Sequence, residues 1–205
     1  MKRFAPATQR NRQPILQILQ NCLPSQGNIL EIASGTGEHA VFFAERFPNL
    51  HWYPSDPNPE LRASIQAWSQ EYSQKYSGSN LDSVLDINVE SDRWSSETQD
   101  LTIAAILNIN MIHISPWTAC QGLMEGASKI IDPGGVLYLY GPYKRGGEHT
   151  SASNQAFDKS LRDRNPQWGI RDLEAVIAEA ESNGFVLQEA IEMPANNLSV
   201  VLTRR

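Results

Sequence analysis

A chain of 205 residues is long enough for one full hydrophobic core and short for two, so a single domain with local insertions is expected. Its 40% hydrophobic and 20% charged residues are those of a folded globular protein, which argues against a disordered chain, and no apolar run approaches the roughly 18 to 20 residues that cross a bilayer. The formal charge of −6 provides no general basic face, which argues against a nucleic-acid partner; Arg162, Arg164 and Arg171 make at most a local basic strip.

Reading from the start, Met1 to Pro6 is followed by polar Thr8, Gln9, Arg10, Asn11 and Arg12 rather than by a signal-peptide core, so a cytoplasmic chain is expected. Pro14 suits the first turn of a helix running to about Cys22. A buried strand, Asn28 to Ala33, leads into a glycine turn and a helix from about Glu38 to Phe47, stopped by Pro48. His51 to Tyr53 reads as a second strand ending near Asp56, Glu60 to Tyr76 as a long helix, and Ser83 to Asp86 as a third strand. Leu101 to Ile109 is a buried strand, Thr118 to Ile131 has helical periodicity, and Val136 to Tyr140 follows a Pro133-Gly134-Gly135 turn.

About 30 residues then pass before the next predicted helix, Asp172 to Asn183, with Asp172 as N-cap and Gly184 as C-cap. An excursion of that length reads as a lid, and Ser151 to Arg164 within it as a short helix. Val186 to Glu192, the turn 194–197, and Ser199 to Leu202 close the chain as an antiparallel hairpin. Strands alternating with helices predict an α/β fold, a mostly parallel sheet with helices on both faces. Cys22 and Cys120 lack metal-ligand spacing and are expected to be reduced core thiols; no metal site is expected.

The turn Ser34-Gly35-Thr36-Gly37 between a buried strand and a helix lets a ligand approach the backbone, and the helix start favours an anion. Taken alone, Gly35-x-Gly37-x-x-Ala40 equally suits a dinucleotide. Glu31 shifts the reading: a carboxylate there repels a pyrophosphate and can orient a ligand's ammonium group. Asp56, about 20 residues past the turn, is placed to accept from both hydroxyls of a ribose, and Asp86 to face an adenine amino group. Each also has an ordinary reading, as a carboxylate bonded to local backbone or as a turn aspartate.

The motif Glu31-x-x-x-Gly35-x-Gly37, with Asp56 and Asp86 after the next two strands, resembles class I S-adenosylmethionine-dependent methyltransferases over residues 28–142 and the terminal hairpin. More narrowly, the chain resembles a small methyltransferase-like family of bacteria and animals with no established activity. The segments that carry this likeness are Arg10-Asn11, residues 31–40, Pro54-Ser55-Asp56, residues 109–116, Tyr140-Gly141-Pro142-Tyr143, residues 164–172 and Met193-Pro194-Ala195-Asn196-Asn197.

The resemblance implies a Rossmann-like class I methyltransferase fold, a mostly parallel seven-stranded sheet with a C-terminal antiparallel hairpin. It divides the single domain into an N-terminal helical segment (1–27), a cofactor-binding core (28–142), a lid-like insertion (143–171), and a last helix with the hairpin (172–205). It implies S-adenosyl-L-methionine as cofactor, held by Glu31, Ala33, Ser34, Gly35, Gly37, Asp56, Asp86 and Asn108. Ala33 departs from the class pattern, which has glycine there.

Catalytic candidates are His113, as a base titrating near neutral pH, with Tyr143 and Asn110; structural roles for each remain open. Arg10, Asn11, Trp168, Arg171, Asn196 and Asn197 are candidates to hold a small polar substrate. The absence of an Asn/Asp-Pro-Pro-aromatic pattern after the fourth strand also points away from a base-methylating enzyme. A non-catalytic binding protein and a nicotinamide-dependent oxidoreductase stand as alternatives.

Overall fold

The computed structural model describes residues 1–98 and 100–205. The predicted alternation appears as β1 (Gly27–Ile32), α2 (Glu38–Ala44), β2 (Leu50–Pro54), α3 (Pro59–Lys75), β3 (Ile103–Ile109), α4 (Trp117–Ile130) and β4 (Ile131–Arg145), preceded by α1 (Pro6–Cys22). After β4 come β5 (Glu148–His149), α5 (Ala152–Arg164), β6 (Arg171–Asp172), α6 (Leu173–Ser182), β7 (Phe185–Met193) and β8 (Asn197–Arg204).

The sheet runs β2-β1-β3-β4-β8-β7, with the short β5 and β6 attached at the end of β4. Strands β2, β1, β3 and β4 are parallel, while β8 pairs antiparallel with β4 and β7 with β8. Alternation along β1 sends Ile29 to one face and Leu30 to the other. Ile29, Trp52, Leu107 and Tyr138 meet Ile15, Leu19 and Phe43 of α1 and α2; Leu30, Ile106 and Leu137 meet Cys120, Leu123 and Val176 of α4 and α6. Burial on both faces is why these strands read as unbroken apolar runs.

Three expectations are corrected. Helix α1 begins at Pro6, with Pro14 in its interior. An interior proline costs about 3 kcal/mol, and the apolar face of Ile15, Leu16 and Leu19 offsets it by packing on the sheet. The predicted strand at 83–86 is no continuous strand: Trp52 bridges Leu81 and Ser55 bridges Leu85, leaving six strands on the main path with those bridges beyond β2. The Pro133-Gly134-Gly135 turn is a bulge inside β4, since Ile103 pairs with Ile131 and Ala105 with Val136. Asp172 takes the expected N-cap position of α6, and its carboxylate also accepts from the Gly147 N–H at 2.6 Å.

The segment after the bridges lies on α4 through two glycines. A Cβ at Gly122 would stand 2.0 Å from the Val89 carbonyl oxygen, and one at Gly126 2.0 Å from Cε2 of Trp94, whose indole N–H donates to the Gly122 carbonyl at 2.9 Å. Among the described residues no helix is long and apolar enough to cross a membrane. Because the buried Trp94 cannot retreat without opening a void, Gly126→Ala is expected to cost about 1–3 kcal/mol, seen as a fall in denaturation midpoint. A variant as stable as the parent would contradict this docking.

Candidate functional site

Beyond the carboxyl ends of β1, β2 and β3 lies a cavity of about 290 Å³. Ala33, Gly35 and Asp56 line it from the strand ends, Ile87 to Glu90 from the segment on α4, and Met111, Ile114 and Ser115 from the turn after β3. An open α/β sheet places its ligand at such a position. Local backbone pairing builds the rim: Ser34 N–H donates to the Ser55 carbonyl at 2.7 Å and Ser55 N–H to the Glu31 carbonyl at 2.9 Å, so the two loops leave the sheet side by side.

Asp56 is held by both oxygens. One accepts from Gly35 N–H at 3.0 Å, the other from Asn58 N–H at 2.9 Å. Burial pushes its pKa up, opposed by those two N–H groups and by Arg62. Its oxygens retain lone pairs for a ligand hydroxyl at the cavity wall. Ala33 sits at φ 56°, a left-handed conformation that is costly for any residue with a Cβ and explains why glycine suits the position. Ala33→Gly is expected to raise stability by up to about 1 kcal/mol in denaturant titration; a loss of stability would show that the methyl packing outweighs the strain.

Several predicted cofactor residues support the cavity from behind. The Glu31 carboxylate is fully buried and accepts from the Trp52 indole N–H at 2.7 Å, so it faces the core of the α1 side rather than an open ligand site. The Ser34 hydroxyl donates to the Glu31 carbonyl, Asn108 donates to the Ile32 carbonyl at 3.1 Å, and Gly37 lies tight against Ile65 of α3. Asp86 points outward with a side chain 66% exposed, paired with Arg62 at 2.8 Å, because Arg62 ties it to the Asp56 and Pro57 carbonyls. Its neighbours Ile87 to Glu90 form the wall that Asp86 itself was expected to supply. The apolar Ile87-x-Val89 alternation was the available signal for them.

His113 is corrected as a near-neutral base. It is 1% exposed, and burial followed by the Arg171 charge pushes its pKa down to about 3. Neither ring nitrogen has a hydrogen-bond partner among the described residues, nor does the hydroxyl of buried Tyr143, which meets the imidazole edge-on at 5.2 Å and whose pKa burial raises well above 10. Asn110, at φ 67°, starts the turn beside them, and its N–H donates to the Tyr140 carbonyl at 2.8 Å.

The substrate candidates separate into three places. Arg10 is exposed on α1, while Asn11 is buried and bonded to His39 at 2.8 Å. The Tyr140 hydroxyl stands beside the Asn11 and Asn197 carboxamides, and both lower a pKa that burial raises. Asn197 also donates to the Pro194 carbonyl at 3.0 Å, and exposed Asn196 to Ser153. Trp168 is half-buried under the Arg164 guanidinium, and Arg171 spends its donors on backbone carbonyls instead of standing free as an anion clamp. His39 and Tyr140 are thus polar groups at this edge that sequence reasoning gave no role; burial, then Arg12, pushes His39 down to about 3.

The sheet order, terminal hairpin and cavity position define a Rossmann-like methyltransferase fold. An O-methyltransferase family protein from Burkholderia thailandensis matches with TM-score 0.79 at 13% identity, over 97% of this chain and 57% of that one. Human N-acetylserotonin methyltransferase, solved in complex with SAM, matches with TM-score 0.76 at 13% identity, over 97% and 52%. The S-adenosylmethionine-dependent methyltransferase SibL in its apo form matches with TM-score 0.75 at 15% identity, over 96% and 55%. The chain thus spans just over half the length of these solved proteins. By sequence it belongs to the family described as Protein of unknown function (DUF938), whose model matches residues 2–204.

Glu31 gives the site a pH signature. Burial raises its pKa from 4.5 to about 7, against the hydrogen bonds of Trp52 and Ser34. The folded state therefore holds this proton more tightly than the unfolded chain; the stabilisation is full below pH 4.5 and is lost as pH rises through 7. Glu31→Gln is expected to remove a decline on the order of 3 kcal/mol between those limits, measured by urea unfolding at several pH values. An unchanged pH profile would mean that Glu31 is ionised at little cost.

Proposed function

We propose that the protein binds S-adenosyl-L-methionine in this cavity and transfers its methyl group to a small polar acceptor. The observation that carries the reading is the pairing of Asp56 with the Gly35 turn at the rim of a cavity walled by Ile32, Ile87, Val89, Ile109 and Met111. The donor set fits: a carboxylate suits a ribose diol, and apolar side chains suit a flat base. The SAM complex of the human structural neighbour, and the methyltransferases among the other structural neighbours, support it.

S-adenosylmethionine, when bound, would supply a sulfonium methyl group, the carbon–sulfur bond breaking as the acceptor bond forms and the sulfur leaving as a neutral thioether that needs no proton. The protein's own contribution is then orientation and exclusion of water. Asp56 and the Gly35 backbone fix one end, and residues 87–90 cover the other. The carboxamides of Asn11, Asn110 and Asn197 and the Tyr140 hydroxyl are neutral groups suited to an uncharged polar acceptor at the adjoining strand ends. With His113 held neutral at about 3, positioning outweighs proton removal by that residue.

Calorimetric titration with S-adenosylhomocysteine tests the reading. Micromolar binding is expected, weakened at least about tenfold by Asp56→Ala, since hydrogen bonds to a charged group contribute about 1.5–3 kcal/mol. NADH is expected not to compete. Absence of binding by folded protein, or tighter binding of NADH, would overturn the assignment.

A further inference from the structure

The cavity wall formed by Met111, Ile114 and Ser115 is a short turn whose own hydrogen bonds are few: His113 N–H reaches the Asn110 carbonyl at 3.3 Å, and the Ile114 N–H and the Ser115 hydroxyl reach the Met111 carbonyl at 3.0 Å and 2.8 Å. Three further carbonyls are taken from outside by one segment. Arg171 donates through Nε to the Ile112 carbonyl at 2.8 Å and through Nη2 to the Ser115 carbonyl at 2.5 Å, while Gly169 N–H donates to the His113 carbonyl at 3.0 Å. Three carbonyls within four residues are thus satisfied by residues 169–171.

That segment is fixed in turn by the excursion that contains it. Asp158 of α5 accepts from Ile170 N–H at 2.6 Å and from Arg162 at 3.0 Å, with Lys144 and His149 also facing its carboxylate. A Cβ on Gly169 would stand 2.7 Å from the Asp158 oxygen, so a side chain there would push the anchor away. On the other side, β6 pairs with the end of β4, Tyr143 opposite Arg171. Asn154 binds the Asn196 carbonyl at 2.9 Å and ties the same helix to the hairpin turn.

We propose that Arg171 is a positioning residue for the ligand cavity: it holds the Met111–Ser115 wall in binding geometry and couples ligand binding to the docking of residues 143–172, with Asp158 as the anchor. The inference rests on the S-adenosylmethionine reading. A guanidinium is suited to the task because its planar fork reaches two carbonyls at once, which a lysine ammonium cannot do with the same geometry. Coupling of this kind is reciprocal: a ligand pressing on Met111 and Ile114 stabilises the docked excursion to the same extent that docking strengthens the ligand.

The test compares wild type, Arg171→Ala, Arg171→Lys and Asp158→Asn by calorimetric titration with S-adenosylhomocysteine. Hydrogen exchange at the Gly169 and Ile170 amides is followed with and without that ligand. Expected are affinity losses of about tenfold for Arg171→Ala, less for Arg171→Lys, and partial rescue of the alanine variant by millimolar guanidinium ion. In wild type the ligand slows exchange at both amides; in Arg171→Ala it does not. If Arg171→Ala does not fold, the lysine and Asp158→Asn variants carry the comparison. Wild-type affinity in the folded variants, or amides in wild type that ignore the ligand, would overturn the proposal. Failure of wild type itself to bind would instead remove the function on which it rests.

Discussion

The site depends on the parallel register of β1 and β2. Because Glu31 pairs with Pro54, the two chains leave the sheet in step, and the Ser34 and Ser55 hydrogen bonds carry that alignment past the last strand residues. Only then can Gly35 N–H meet the Asp56 carboxylate at 3.0 Å. A shift of one residue would turn every side chain of β1 to the other face, placing Glu31 among Leu30's neighbours and breaking the alignment that brings Gly35 to Asp56. The apolar faces of the strands fix this register from both sides, so core packing and the functional rim share one constraint.

The edge beyond those strands carries polar and backbone costs that a purely structural sheet would avoid. Glu31, Ser34, Asp56, Asn108 and His113 are all buried there, and Asn11 and His39 join them from α1 and α2. Among the described residues, the non-glycine ones with positive φ, Ala33, Asn110, Ala195 and Asn196, lie at the same edge. Strained backbone and buried polar groups persist where the surrounding packing over-determines them, and such concentrations mark functional sites. The apolar layers under α1, α2, α4 and α6 offset what this edge costs.

Most elements were legible because their apolar residues recur with strand or helix period and end at glycine, proline or asparagine. The failures have local causes. Pro14 looked like a helix start because its effect on φ is visible in sequence, whereas the packing of Ile15 and Leu19 that tolerates it inside α1 is tertiary. Ser83 to Asp86 has strand-like residues but is joined by a single bridge, Leu85 to Ser55 just past β2, which no periodicity reports. In the site, the placement of Gly35 and Asp56 beside the cavity was readable because backbone access and strand ends set it. Asp86 and Arg171 were misplaced because their partners, Arg62 and the carbonyls of Ile112 and Ser115, are set by long-range packing. His113 was readable as a residue type, but its low basicity comes from burial.

A crystal structure of the protein grown with S-adenosylhomocysteine tests whether the cavity at the ends of β1 and β2 is an S-adenosylmethionine site. Ligand density is expected between Ala33, Ile87 and Met111, with ribose hydroxyls on the Asp56 carboxylate. Density for the ligand elsewhere on the protein, or bound in this cavity without contact to Asp56, would contradict it.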